Sequence, residues 1–136
     1  MDVSLAVLSD FASVTQEGKL NIMGIFGEVN PPGLPFSLPL MYLVIVFDAS
    51  PAEIGSDKNV RVVMLDGEGR EGLRIENTLA VPPGGRPGHR ANFNAILALQ
   101  GVTFQQPGDY QFSVLINGEE KRSVPLRVNE PAPMGL

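Results

Sequence analysis

The chain has 136 residues, of which 43% are hydrophobic and 18% charged, a composition typical of one globular domain. Ten basic and fifteen acidic side chains give a net charge of -5, whereas proteins that bind nucleic acid or anionic membranes need an excess of Lys and Arg. The chain has no cysteine, which excludes disulfides, thiolate metal sites and cysteine nucleophiles. We therefore expect a globular domain that binds neither nucleic acid nor membrane.

The two ends of the chain indicate its location and its domain limits. The first residues lack the basic region and apolar stretch of a secretory signal, and no apolar run approaches the roughly 20 residues of a membrane-spanning helix. We therefore expect a cytoplasmic protein. The residues after Val128 include prolines, which lack a backbone donor, so we predict a β domain over residues 1–128 and a C-terminal tail over 129–136.

The first half of the chain predicts three strands. Apolar residues open the chain at 3–8, and residues 20–26 alternate with a period of two, which places one side of that strand on a core. Residues 40–47 are apolar on both faces. This pattern predicts either a central strand covered on both sides or a strand whose second face meets a partner.

The second half predicts five further strands, because Gly and Pro separate short apolar runs there. Asp66-Gly67 and Asn117-Gly118 are dipeptides that favour tight hairpin turns. The predicted strands cover residues 60–65, 73–79, 91–99, 110–116 and 124–128. About eight strands at this spacing indicate an all-β protein with a single antiparallel β-sandwich, an immunoglobulin-like or C2-like Greek key.

Six segments carry a resemblance that covers nearly the whole chain. They are Asp10-Phe11-Ala12-Ser13-Val14, then Glu17-Gly18-Lys19-Leu20-Asn21-Ile22-Met23-Gly24-Ile25-Phe26, Leu65-Asp66-Gly67-Glu68-Gly69, Pro82-Pro83-Gly84, Pro107-Gly108-Asp109-Tyr110 and Ile116-Asn117-Gly118-Glu119. In this order they resemble the landmarks of a bacterial family of small proteins of unknown function. The resemblance implies a compact β domain and brings no catalytic or binding residue to this chain.

Few residues could carry chemistry. His89 is the one histidine, and without a second histidine or a cysteine it cannot build the usual zinc site. Asp48, Glu53 and Asp57 fall in one loop, but their spacing matches no calcium loop. Tyr110 follows a Pro-Gly turn, as in the tyrosine corners of β-sandwiches, which favours a structural role. We predict that the protein is not an enzyme and has no catalytic, cofactor-binding or metal-binding residue.

One region carries more apolar side chains than the inner side of a sandwich normally buries. Leu34, Phe36 and Leu38 lie between prolines in a predicted loop over residues 30–39, directly before the two-faced strand. The loop either folds back as a lid over that strand or forms an interface with another copy or another protein. The candidate interface residues are Leu34, Phe36, Leu38, Met41, Met134 and Leu136.

We therefore predict a noncatalytic structural or protein-interaction module that associates with itself through strand edges or apolar surface. The alternative is a module that binds a small molecule or a carbohydrate in the loops at one end of the sandwich. Arg86, His89 and Arg90 are the candidate residues for an anionic ligand in that case.

Overall fold

The structure of the protein is a computed structural model that describes residues 1–132. Within these residues the chain forms nine strands and one short 3-10 helix, Pro51–Glu53. The strands are β1 Asp2–Val14, β2 Leu20–Phe26, β3 Glu28–Val29, β4 Phe36–Ala49, β5 Asp57–Leu65, β6 Glu71–Ala80, β7 Ala91–Phe104, β8 Gly108–Ile116 and β9 Glu119–Val128. No helix in the described range has the length and apolar content that a membrane crossing requires.

Two sheets pack face to face, which confirms the predicted all-β, sandwich-like architecture. Sheet A has the strand order β2-β1-β4-β7, and sheet B has the order β3-β9-β8-β5-β6. Neighbouring strands are antiparallel, except that β3 pairs in parallel with β9. The two-residue β3 escapes prediction because it is too short to show any alternation.

The core lies between the sheets and follows from the period of two in each strand. The inward residues of β4 are Met41, Leu43, Ile45 and Phe47, all without exposed surface. They belong to one cluster with Val62 and Met64 of β5, Phe112 and Val114 of β8, and Val124 and Leu126 of β9. Burying such a side chain is worth about 1.5 to 3 kcal/mol, so this cluster is the main source of stability.

The two predicted hairpin turns are confirmed. Asp66 closes the β5–β6 turn, because its carboxylate accepts the backbone N–H groups of Glu68 and Arg70 at 2.9 and 2.8 Å. Asn117 and Gly118 have φ angles of 50° and 82°, the positive values that a two-residue hairpin turn between β8 and β9 requires.

The loop predicted over residues 30–39 is wrong in its second half, because β4 already begins at Phe36. Opposite this segment, β7 has a positive φ of 64° at Gly101, and the inward side changes there from odd to even positions. Leu99 is buried before Gly101, and Val102 is buried after it. As a result Leu34, Phe36 and Leu38 pack, half-buried, against the main core.

Candidate interaction surface

The side of sheet A that points away from sheet B, called here the outer face, is apolar. Register determines its members: Val7 lies opposite Val44, and Phe11 lies opposite Met23 on β2. On the other side of β4, Val44 lies opposite Ile96 of β7. The apolar residues of the outer face are Leu5, Val7, Phe11, Met23, Ile25, Leu40, Tyr42, Val44, Val46, Ile96 and Ala98.

Large side chains on this face remain in contact with solvent. Met23 and Ile25 are 61% and 62% exposed, and Phe11 is 47% exposed. The ring of Phe11 packs edge-on against that of Tyr42, with 5.7 Å between the centroids. The exposed side chains lie on β1, β2 and at Leu40 of β4, whereas Val44 in the middle of β4 has no exposed surface.

The outward side of sheet B has the opposite character. Arg61 and Glu76 lie opposite each other on β5 and β6, with 3.7 Å between Nε and Oε2. On the neighbouring strands, the hydroxyl of Ser113 donates to Glu120 at 2.5 Å. The outward side of sheet B therefore carries charged and polar pairs at these positions, whereas Val7, Val44 and Ile96 lie side by side on the outer face of sheet A.

Charged side chains lie at one end of the outer face. Asp2 lies opposite Asp48 there, and Arg90 Nε donates to Asp48 Oδ1 at 2.8 Å. The hydrogen bond to the Asp48 carboxylate raises the pKa of Arg90 above its usual value. The apolar patch thus ends at a small rim of paired charges.

Four of the six predicted interface residues lie within the described chain, and all four are on the core side and not on this exposed surface. Leu34, Phe36 and Leu38 pack on the core, and Met41 has no exposed surface, so Met41 offers nothing to a partner in this conformation. The two tail positions, Met134 and Leu136, lie outside the described residues.

Sequence reasoning missed the most exposed residues of the outer face, Met23 and Ile25. A signal for them was present, because residues 20–26 are apolar at almost every position and not only at alternate ones. A strand with two apolar faces needs a cover on each face, and the described chain covers one of them.

The three residues of the predicted ligand loop lie at the surface. Arg86, His89 and Arg90 are all exposed in the β6–β7 connection, where the backbone N–H of His89 donates to the carbonyl of Arg86 at 3.2 Å. Arg90 already pairs with Asp48. The ligand loop therefore stays a prediction, with one of its cations engaged within the chain.

The carboxylate of Glu53, considered for calcium, has partners in the protein. It accepts hydrogen bonds from the amino group of Met1 at 2.5 Å, from Lys58 at 2.9 Å and from the backbone N–H of Ser50 at 3.0 Å. These donors, the Met1 amino group above all, hold the pKa of Glu53 far below its usual range. Within residues 1–132 no three metal-ligating side chains cluster closely enough to hold a metal ion.

An open depression of about 400 Å³ lies at the other end of the sandwich, between the β5–β6 turn and the β7–β8 loop. Its wall includes Arg70, whose guanidinium pairs with Asp66 at 3.2 Å and with Glu68 at 2.8 Å. Tyr110 also lines it and donates a 2.6 Å hydrogen bond to the carbonyl of Gln106. This bond to the preceding turn supports the structural role predicted for Tyr110.

Comparison with known families covers nearly the whole chain. The sequence model of a family described as a family of unknown function, DUF6941, matches residues 4–129. No curated protein matches the chain.

Proposed function

The chain belongs to the DUF6941 family, and we propose that it is a noncatalytic protein-interaction module that associates with itself through the outer face of sheet A. The observation that supports this proposal is the set of exposed side chains on adjacent strands, including Phe11, Met23 and Ile25. Exposed apolar residues are common singly, but a continuous patch on one sheet marks an interaction site.

The size of the patch supports an interface. Four strands at roughly 4.8 Å each are about 19 Å wide, and the distance along β1 from Leu5 to Phe11 is about 20 Å. The outer face therefore has an outline of about 400 Å², within which Met23, Ile25 and Phe11 are exposed and Val44 is buried, and exposed apolar patches of this order are often functional. Packing a second sheet on it would remove these side chains from water.

The charge distribution allows a second copy of the chain to dock on the outer face. The protein has a net charge of -5, so two copies repel each other over most of their surface. The apolar positions of the outer face carry no charge, and the charged groups Asp2, Asp48 and Arg90 lie at its end. Two outer faces can therefore meet without burying a charge, and a two-fold contact would use the same patch on both copies.

The test measures how many copies of the chain associate in solution. We expect Met23→Lys combined with Ile25→Lys to lower the molar mass measured by light scattering, because the added charges would have to be buried at the contact of two copies. Both positions are more than half exposed, so the fold tolerates the change. A wild-type protein that is monomeric at micromolar concentrations would overturn the proposal.

The matched control is Val14→Lys. Val14 is 48% exposed and lies on the same strand as Phe11, but on the other side of it, because the two residues are three positions apart. We expect this variant to keep the mass of the wild type. An equal loss of mass in both variants would mean that added charge, and not the outer face, controls association.

We further propose that the sandwich has Greek-key connections, immunoglobulin-like or C2-like, and that the protein works in the cytoplasm. In support of the first point, β4 and β7 are neighbours although β5 and β6 intervene in sequence, and β5 and β8 are neighbours although β6 and β7 intervene. The lack of cysteine is compatible with the second. A crystal structure tests the strand connections, and cell fractionation tests the location.

A further inference from the structure

The edge strands of the two sheets differ in how they are protected against pairing with another chain. Sheet B ends in β3, which has two residues, and in β6, which carries Glu71, Arg74 and Glu76. Sheet A ends in β2, where Gly24 interrupts the strand with a φ of 69°, and in β7. Short length, charge and irregular backbone are the usual protections of an edge.

Strand β7 has none of these protections along most of its length. It has 14 residues without a charged side chain or a proline. Its pairing with β4 runs without a register shift from Ala91 to Gln100, and the first positive φ comes at Gly101. Within the described chain β4 is its one neighbour, so a row of backbone N–H and C=O groups faces outward.

The side chains of β7 form a pattern that resembles itself at most positions when the strand is reversed about Ile96. In an antiparallel pair centred there, Asn92 would lie opposite Gln100 and Asn94 opposite Ala98 on the outer face. On the inner side the apolar pairs would be Phe93 with Leu99 and Ala95 with Leu97. The inner-side pairs are apolar and the Asn92–Gln100 pairs are polar, while Asn94 meets the small side chain of Ala98, so a two-fold contact brings no bulky or charged mismatch together.

From this geometry we propose that β7 pairs antiparallel with β7 of a second copy about a two-fold axis at Ile96. The pairing joins two copies of sheet A into one continuous sheet, with both outer faces on the same side. The backbone groups at the edge then gain hydrogen bonds, and no charge of β7 is buried because this strand carries none. The β7 pairing goes beyond the proposed outer-face contact, because it does not require that contact.

The test uses the absence of cysteine in the chain. Single variants Asn94→Cys, Ile96→Cys and Ala98→Cys are exposed to a mild oxidant or a short bis-maleimide. Residues directly opposite in a sheet are about 5 Å apart, so Ile96→Cys should give a covalent dimer as the main species. Positions 94 and 98 each lie about 13 Å from their own copies in this register. Asn94→Cys and Ala98→Cys should therefore give little covalent dimer.

The same scan is repeated in the background of Met23→Lys and Ile25→Lys, which separates the two contacts. A covalent dimer through Ile96→Cys in both backgrounds supports the β7 pairing, whatever happens at the outer face. Equal cross-linking at positions 94, 96 and 98, or none at position 96, would overturn it. Loss of cross-linking only in the lysine background would also overturn it, because the pairing would then depend on the outer face.

A charge pair provides the matched control. In the proposed register Asn92→Lys with Gln100→Lys places like charges opposite each other twice, which should abolish the Ile96→Cys dimer. Asn92→Lys with Gln100→Glu places opposite charges at the same positions and should preserve it. An identical effect of both pairs would reject the register centred on Ile96.

Discussion

At the scale of single residues, Tyr110 shows how a side chain that could look functional serves the fold. Its ring packs edge-on against Phe104 with 5.0 Å between centroids, and its hydroxyl donates to the carbonyl of Gln106. Tyr110 is 8% exposed, so water has little access to replace this bond. The hydroxyl thus fastens the β7–β8 connection to the start of β8.

We expect Tyr110→Phe to lower the free energy of unfolding by about 1 kcal/mol, because the ring stays and one largely buried hydrogen bond is lost. Urea denaturation measures the change. Tyr42→Phe is the matched control, since the ring of Tyr42 packs on Phe11 but its hydroxyl has no hydrogen bond among residues 1–132, and it should change the stability little. A Tyr110→Phe variant as stable as the wild type would contradict the structural role.

Glu53 is a second residue whose role is structural, and its role depends on pH. Its carboxylate binds the amino group of Met1, Lys58 Nζ and the backbone N–H of Ser50, and these donors lower its pKa. A carboxylate with a lowered pKa in the folded state contributes stability above its unfolded pKa of about 4.3, and this contribution falls as the pH drops toward the folded pKa.

We therefore expect Glu53→Gln to destabilise the protein at pH 7 by about 1 kcal/mol, the upper end for ion pairs near the surface. The difference from the wild type should be smaller at about pH 3, because protonation of Glu53 in the unfolded state then weakens the advantage of the wild type. Urea denaturation at both pH values measures this. Glu17→Gln, at an exposed residue that pairs with Lys19 at 3.7 Å, should have no comparable effect.

At the scale of elements, local sequence predicts the hairpins well because each depends on a few neighbouring residues. The Asn117-Gly118 turn needs two positive φ angles, which Asn and Gly tolerate better than other residues. The full length of β4 cannot be predicted in the same way. The prolines around residues 36–39 favour a loop, yet this segment pairs with the end of β7, a contact between residues far apart in sequence.

The sequence predicts that an apolar surface exists, but it does not predict which residues form that surface. The excess of apolar residues in 40–47 indicates two apolar faces; one lies in the core, and on the other Leu40 is exposed. Which residues share the uncovered face depends on register, since β1 and β4 shift against each other between Val3 and Leu5. A one-residue change of register moves every side chain to the other face.

At the scale of the whole molecule, the two proposed contacts use different parts of sheet A. The β7 pairing lies in the plane of the sheet, whereas the outer-face contact lies perpendicular to it. With the two-fold axis of the outer-face contact perpendicular to the axis at Ile96 and crossing it, the two contacts close into an assembly of four copies, in which two extended sheets pack face to face. Neither contact alone would bury both the free edge and the apolar face.

The two sets of substitutions therefore predict a simple series of molar masses. We expect four copies for the wild type, and two copies for Met23→Lys with Ile25→Lys, because the β7 pairing remains. Asn92→Lys with Gln100→Lys should also leave two copies, now held by the outer face, and all four substitutions together should give a monomer. Light scattering at equal chain concentration measures the series. If either double variant alone were monomeric, the two contacts would not be independent, and an assembly built from separate face and edge contacts would be wrong.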